Sequence, residues 1–113
     1  MMKISERNVD DVTILAPKGK ITIGAGDVML REAIAEATRS GKSKLLLDLH
    51  GVSKMDSSGL GELVAAHNTV TAEGGTIRLM NLPSKLYNVM GITQIVSVFD
   101  VFDDEQEAIN SFH

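Results

Sequence analysis

Two hydroxyls stand between one carboxylate and two glycines in the run Asp56-Ser57-Ser58-Gly59-Leu60-Gly61. A helix beginning here needs an oxygen to accept from its first free N–H groups, and one such cap contributes roughly 1 kcal/mol. Asp56 or either serine can supply it, with Ser58 the better placed. One cap is enough, so a hydroxyl is left over for another role. Glycine in a helix costs about 1 kcal/mol relative to alanine, and two of them in a first turn leave backbone N–H groups open to close approach by another molecule. Nucleophilic catalysis is a poorer fit. The stretch from Lys54 to Gly59 lacks the glycine two residues before either serine that a nucleophile elbow requires.

The remaining candidates are weaker. Gly24-Ala25-Gly26 imitates a dinucleotide loop, with Asp48 near the spacing of a ribose-binding acid, but Met29 holds the place of the third glycine. A tight strand-to-helix turn accounts for it. His50 and His113 have no acidic or nucleophilic partner nearby in sequence, and His67 falls on the apolar stripe of a helix, as a packed histidine would. The acidic residues Asp100, Asp103, Asp104, Glu105 and Glu107 lack the glycine and regular spacing of a calcium loop and instead suit a helix N-terminus. Six methionines read as core filler, with Met55 and Met90 placed to border an interaction surface. No metal or cofactor site is expected.

The elements that must position Ser57 follow from hydropathy. A strand near Lys3 to Val9, a turn at Asp10-Asp11 and a strand from Val12 to Ala16 form an antiparallel N-terminal edge. Pro17 and Gly19 predict a bend before a short third strand, Ile21-Thr22-Ile23. Asp27 is the expected N-cap of a helix with Leu30, Ala33, Ile34 and Ala37 on one stripe, closed by Gly41. Leu45-Leu46-Leu47-Asp48-Leu49 is a strand covered on both faces, which implies a mostly parallel sheet between helices. A helix from about Ser58 to Glu73 carries Leu60, Leu63, Val64, His67 and Val70. Thr76 to Met80 is a strand. Pro83 opens a short helix through Leu86, Val89 and Met90 to Gly91, Ile95 to Phe102 is the last strand, and a terminal helix contains Ile109 and Phe112.

The predicted fold is therefore one α/β domain over residues 1–113, with a mixed sheet and about four helices. At 113 residues the chain can bury about two-thirds of its unfolded surface without metals or disulfides. The absence of cysteine excludes thiolate chemistry. Eleven basic residues against fifteen acidic ones, with three Phe, one Tyr and no Trp, argue against nucleic acid as a partner. No apolar h-region and no stretch long enough to span or insert into a membrane is present, so a cytoplasmic location is expected.

Asp56-Ser57-Ser58-Gly59-Leu60-Gly61, after a leucine-rich strand and at the start of an amphipathic helix, resembles the signature of the STAS-domain anti-sigma factor antagonists. The likeness in order and spacing of elements covers nearly the whole chain. It implies a STAS-like fold and a non-enzymatic function in which the unphosphorylated protein binds an anti-sigma factor serine kinase and so releases a sigma factor. By the same match Ser57 is the phosphate acceptor, reset by a serine phosphatase. The implied partner-binding residues are Asp56, Ser58, Gly59, Leu60 and Gly61, with Thr22, Ile23 and Gly24 from the earlier turn. The chain departs from the family at Gly19-Lys20-Ile21-Thr22, where members often carry an acidic pair in a Gly-Glu-Leu-Asp pattern that helps contact the kinase. Two other readings compete: an interaction subunit of a stress-sensing or lipid-transport complex built on the same domain, and, from a different class, a small hydrolase or nucleotide-binding enzyme.

Overall fold

The computed structural model describes residues 2–88 and 97–113. The chain runs β1 (Lys3–Val9), β2 (Val12–Ile21), α1 (Gly26–Arg39), β3 (Lys44–Asp48), β4 (Val52–Met55), α2 (Ser57–Ala72), β5 (Thr76–Met80), a 3-10 turn (Ser84–Asn88), β6 (Val101–Phe102) and α3 (Glu105–Asn110). The strands make one mixed sheet in the order β1-β2-β3-β5-β6, with β4 also paired to β2. β1 joins β2 antiparallel at the edge, and every other pairing is parallel.

Alternation along β3 divides the core. Leu45 and Leu47 pack with Leu30 and Ile34 of α1 and Leu63, Ala66 and Val70 of α2, while Leu46 turns to the opposite face with Val12, Ile14, Met80, Ala108 and Ile109. A strand apolar on both faces needs cover on both faces, and here α1 and α2 supply one layer and α3 the other.

Several expectations shift. β2 does not bend at Pro17 to begin a third strand; it continues to Ile21, and Thr22-Ile23 leave the sheet. Pro17 is tolerated because the parallel partner changes there. Pro17 is in register with Ile4 of β1, but an N–H there would face the other side, as that of Gly19 does toward the Gly51 carbonyl. On that side residues 13–15 pair with β3 and residues 19–21 with β4, leaving a gap at Pro17. The short strand β4 has no counterpart in the sequence reading. Its Ser53 and Lys54 are exposed between buried Val52 and Met55, a pattern that does not alternate because the register shifts against β2. α1, α2 and α3 lie wholly within the described residues, where Ser97 and Val98 are also helical, and the described part of the segment after Pro83 is a 3-10 turn, not an α-helix. Val89, Met90 and Gly91 lie outside the described residues, as do Ile95 and Val96. Within the described residues the expected final strand is limited to Val101 and Phe102, and Ser97 and Val98 are helical instead.

Candidate functional site

The site lies where the carboxyl ends of β2 and β4 meet the start of α2, with the first turn of α1 alongside. Ser57 is the first residue of α2, and Asp56, not Ser58, is its N-cap. The reason is geometric. Asp56 has extended backbone angles, φ −108° and ψ −172°, which turn its carboxylate back over the helix start; Oδ1 accepts from the Gly59 N–H at 3.0 Å. Its second oxygen, Oδ2, accepts from the Ile23 N–H at 3.0 Å, across 33 residues of sequence. One carboxylate therefore ties the loop after β2 to the start of α2.

Both N–H groups favour the ionised carboxylate, Ile23 first and Gly59 second, and they hold Asp56 below its ordinary value of 3.8. A carboxyl with a depressed folded-state pKa contributes stability that is complete above the ordinary value and is lost as the pH falls through the folded one. Asp11, held at about 2 by Lys44 and then His113, behaves in the same sense. Asp56→Asn is therefore expected to lose less stability between about pH 5 and pH 2.5 than the parent does, since its amide does not titrate. Urea titrations of the two proteins at both pH values check this, and equal losses would show that the Asp56 charge is not coupled to folding.

The two glycines have different roles. Gly59 is buried, and a Cβ there would lie 2.2 Å from the Ile21 carbonyl oxygen and 2.8 Å from Met55 Cγ. Its lack of a side chain lets α2 approach the end of β2, so packing, not access for another molecule, accounts for it. A Cβ on Gly61 would meet nothing within 4 Å, which leaves that position open to solvent. Met55 and Leu60 are core residues at 4% and 8% exposure, so Met55 does not border an interaction surface.

Ser57 is exposed and Ser58 half-buried, and neither hydroxyl has a hydrogen bond among the described residues. Beside them Ile23 stands 74% exposed, the single large apolar side chain so presented among the described residues. Its backbone is the one Asp56 holds. Thr22 is half-buried and Gly24 exposed, with Gly24 at φ +104° and its N–H donating to Asp27 Oδ1 at 3.1 Å. Asp27 is thus a turn-closing residue inside α1, whose N-cap position is Ala25. A Cβ on Gly26 would lie 2.0 Å from the Lys20 carbonyl oxygen, which places this glycine loop in a tight βα turn.

The other titratable candidates serve the fold. Asp48 accepts from the His50 N–H and from Asn81 Nδ2, each at 3.1 Å. His67 meets the Phe99 ring edge-on at 5.5 Å. His113 has an acid after all, with Nε2 2.6 Å from Asp11 Oδ1, a contact across 102 residues that local inspection could not find. In the acidic run, Asp104 caps α3 through the Glu107 N–H, Glu105 pairs with Arg7, and Asp100 pairs with Arg78 at 2.6 Å.

A mixed sheet with two helices on one face, and an aspartate-capped serine at the head of the second, defines a small α/β domain of the STAS type. The chain belongs to the STAS domain family, whose profile matches residues 3–108. It is 31% identical over 96 residues to the anti-sigma-B factor antagonist of Bacillus subtilis, covering 85% of each chain. A Thermotoga maritima crystal structure, provisionally named an anti-sigma factor antagonist, has a TM-score of 0.86 at 24% identity, over 96% of this chain and 93% of that one. The Bacillus anti-sigma factor antagonist SpoIIAA matches in its unphosphorylated form with a TM-score of 0.70, over 96% of both chains, and in its phosphorylated form with 0.73, over 98% of this chain and all of that one, each at 19% identity. These structural likenesses show the fold.

Proposed function

We propose that the chain is an anti-sigma factor antagonist switched by phosphorylation at Ser57. In its unmodified form the surface around Ser57, Ile23, Gly24 and Gly61 binds an anti-sigma factor that is itself a serine kinase, and the sigma factor is released. Transfer of phosphate to Ser57 ends the binding, and a serine phosphatase restores it. The protein needs no catalytic group of its own for this role.

The observation that carries the reading is the state of Asp56 and Ser57 together. Asp56 is fully engaged as cap and loop tether, while the adjacent Ser57 hydroxyl is exposed and unbonded among the described residues. Phosphate on Ser57 adds about −1.5 to −2 charges beside a carboxylate that stays ionised. Asp56 already takes the Gly59 N–H, so the phosphate is pushed outward toward an approaching partner. The switch then acts on binding and leaves the fold in place, in keeping with the similar match of this chain to both forms of SpoIIAA.

Mass spectrometry after incubation with an anti-sigma factor kinase and ATP tests the site. Phosphate is expected on Ser57, the exposed hydroxyl, and not on half-buried Ser58. Label confined to Ser58 reverses the assignment, and no label on either removes the switch.

A further inference from the structure

The sheet face that α3 leaves open carries four lysines brought together from three strands. α3 covers this face as far as Arg7 of β1, which pairs with Glu105, and Ile14 of β2, which packs with Ala108 and Ile109. Beyond that line the face continues through Ser5 and Lys3 on β1, Ala16, Lys18 and Lys20 on β2, and Lys54 on β4. Lys3 stands directly opposite Lys18, and Lys20 opposite Lys54. Lys18 and Lys20 are two residues apart on one strand, roughly 6–7 Å. Despite the register shift at Gly19, the next pair, Ile21 and Met55, is buried with the helices, so Lys20 and Lys54 both point away from them.

All four lysines are exposed, and none has an ion pair or hydrogen bond among the described residues. Lys42 and Lys44, by contrast, are matched to Glu6 and Asp11. Asp48 lines a depression on this face with Ser5, Lys18 and His50, but it makes no ion pair among the described residues, and its Oδ1 accepts from the neutral backbone N–H of His50 and from Asn81 Nδ2. Like charges directly opposed across strands repel one another, so this arrangement is destabilising until an anion covers it. In a chain of net charge −4, four unmatched cations on one open face are a local reversal of sign.

We propose that this open face of β1, β2 and β4 is a docking surface for an acidic segment of a partner protein, distinct from the Ser57 surface. The segment presents carboxylates roughly 5–7 Å apart, the spacing of alternate residues in an extended chain, matched to Lys3, Lys18, Lys20 and Lys54. A protein is favoured over a bilayer because the patch itself offers no large apolar side chain to insert, only Ala16 between the lysines, and over nucleic acid because it has no arginine fork and no aromatic ring to stack on.

A synthetic poly-glutamate peptide titrated into the isotopically labelled full chain, followed by NMR, tests this. Saturable shifts are expected at residues 3–5, 16–20 and 52–54, fading as salt shortens the screening length to about 3 Å near 1 M. Lys18→Glu with Lys20→Glu should weaken binding at least about tenfold with the fold intact by NMR, whereas Arg31→Glu with Lys85→Glu, the same charge change elsewhere, should leave it nearly unchanged. The proposal is overturned if the shifts do not saturate, if they map elsewhere, or if both double variants weaken binding equally. Tighter binding of phosphatidylserine vesicles or single-stranded DNA to the same face would also overturn it, by replacing the partner class.

Discussion

Replacing Leu47 with alanine is expected to lower the unfolding free energy by about 2–5 kcal/mol, a large share of the roughly 5–15 kcal/mol that holds a small domain together. Leu47 is fully buried, with Leu15 beside it on β2 and Leu79 on β5 in the parallel ladder, and it faces the layer formed by α1 and α2. Strands on both sides and two helices above hold their positions when the side chain is shortened, so the cavity cannot collapse and the upper part of the range applies. Val64→Ala, which removes two carbons where Leu47→Ala removes three and does so at a partly exposed position on α2, should cost much less. Urea unfolding of both variants provides the comparison. A change of less than about 0.5 kcal/mol at Leu47 would mean that β3 is not the central strand.

That centrality was visible in the sequence because five consecutive residues, Leu45 to Leu49, offer no polar face to solvent except at Asp48. The stripes of α1 and α2 were equally legible, since 3.6-residue periodicity survives any tertiary context that buries one face. What periodicity could not deliver was β4. It spans four residues, interrupts its own alternation at a register shift and pairs with the far half of a strand already counted as finished at Ala16. The bend predicted at Pro17 failed for the same reason: proline forbids a ladder bond only on the side its N–H would face, and on that side β2 exchanges β3 for β4 at this point while Pro17 stays in register with β1.

In the candidate site, residue types pointed to the correct segment while the division of labour depended on distant residues. Local rules allow Asp56, Ser57 or Ser58 to cap α2. The choice falls on Asp56 because its other oxygen meets Ile23, on a loop 33 residues earlier. Gly59 looked like an opening for a partner and proves to be the place where Ile21 and Met55 press against α2. The lysine face was hidden in a different way. Lys3, Lys18, Lys20 and Lys54 show no run of basic charge in sequence, and only strand register places them together.

The largest functional effect is expected at Ser57. A partner that reaches its hydroxyl must cover exposed Ile23 and Gly61 and exclude water from the first turn of α2. A neutral hydroxyl tolerates that cover. A carboxylate does not: two like charges about 4 Å apart at an effective dielectric near 20 repel by about 4 kcal/mol, and removing a charge from water without a matching cation carries its own penalty. A loss of a few kcal/mol, at about 1.4 kcal/mol per decade, is roughly a hundredfold or more in affinity. Ser57→Asp should therefore lose binding to the anti-sigma factor while melting close to the parent temperature, because the side chain is exposed and an acid in a first helical turn suits the helix dipole. Ser57→Ala should bind as the parent does and remain bound in the presence of ATP, since it has no hydroxyl to modify. Titration calorimetry with the purified anti-sigma factor, run beside thermal melts, separates these outcomes. Undiminished affinity of a folded Ser57→Asp protein would remove the electrostatic mechanism, and release of Ser57→Ala by ATP would move the switch to another residue.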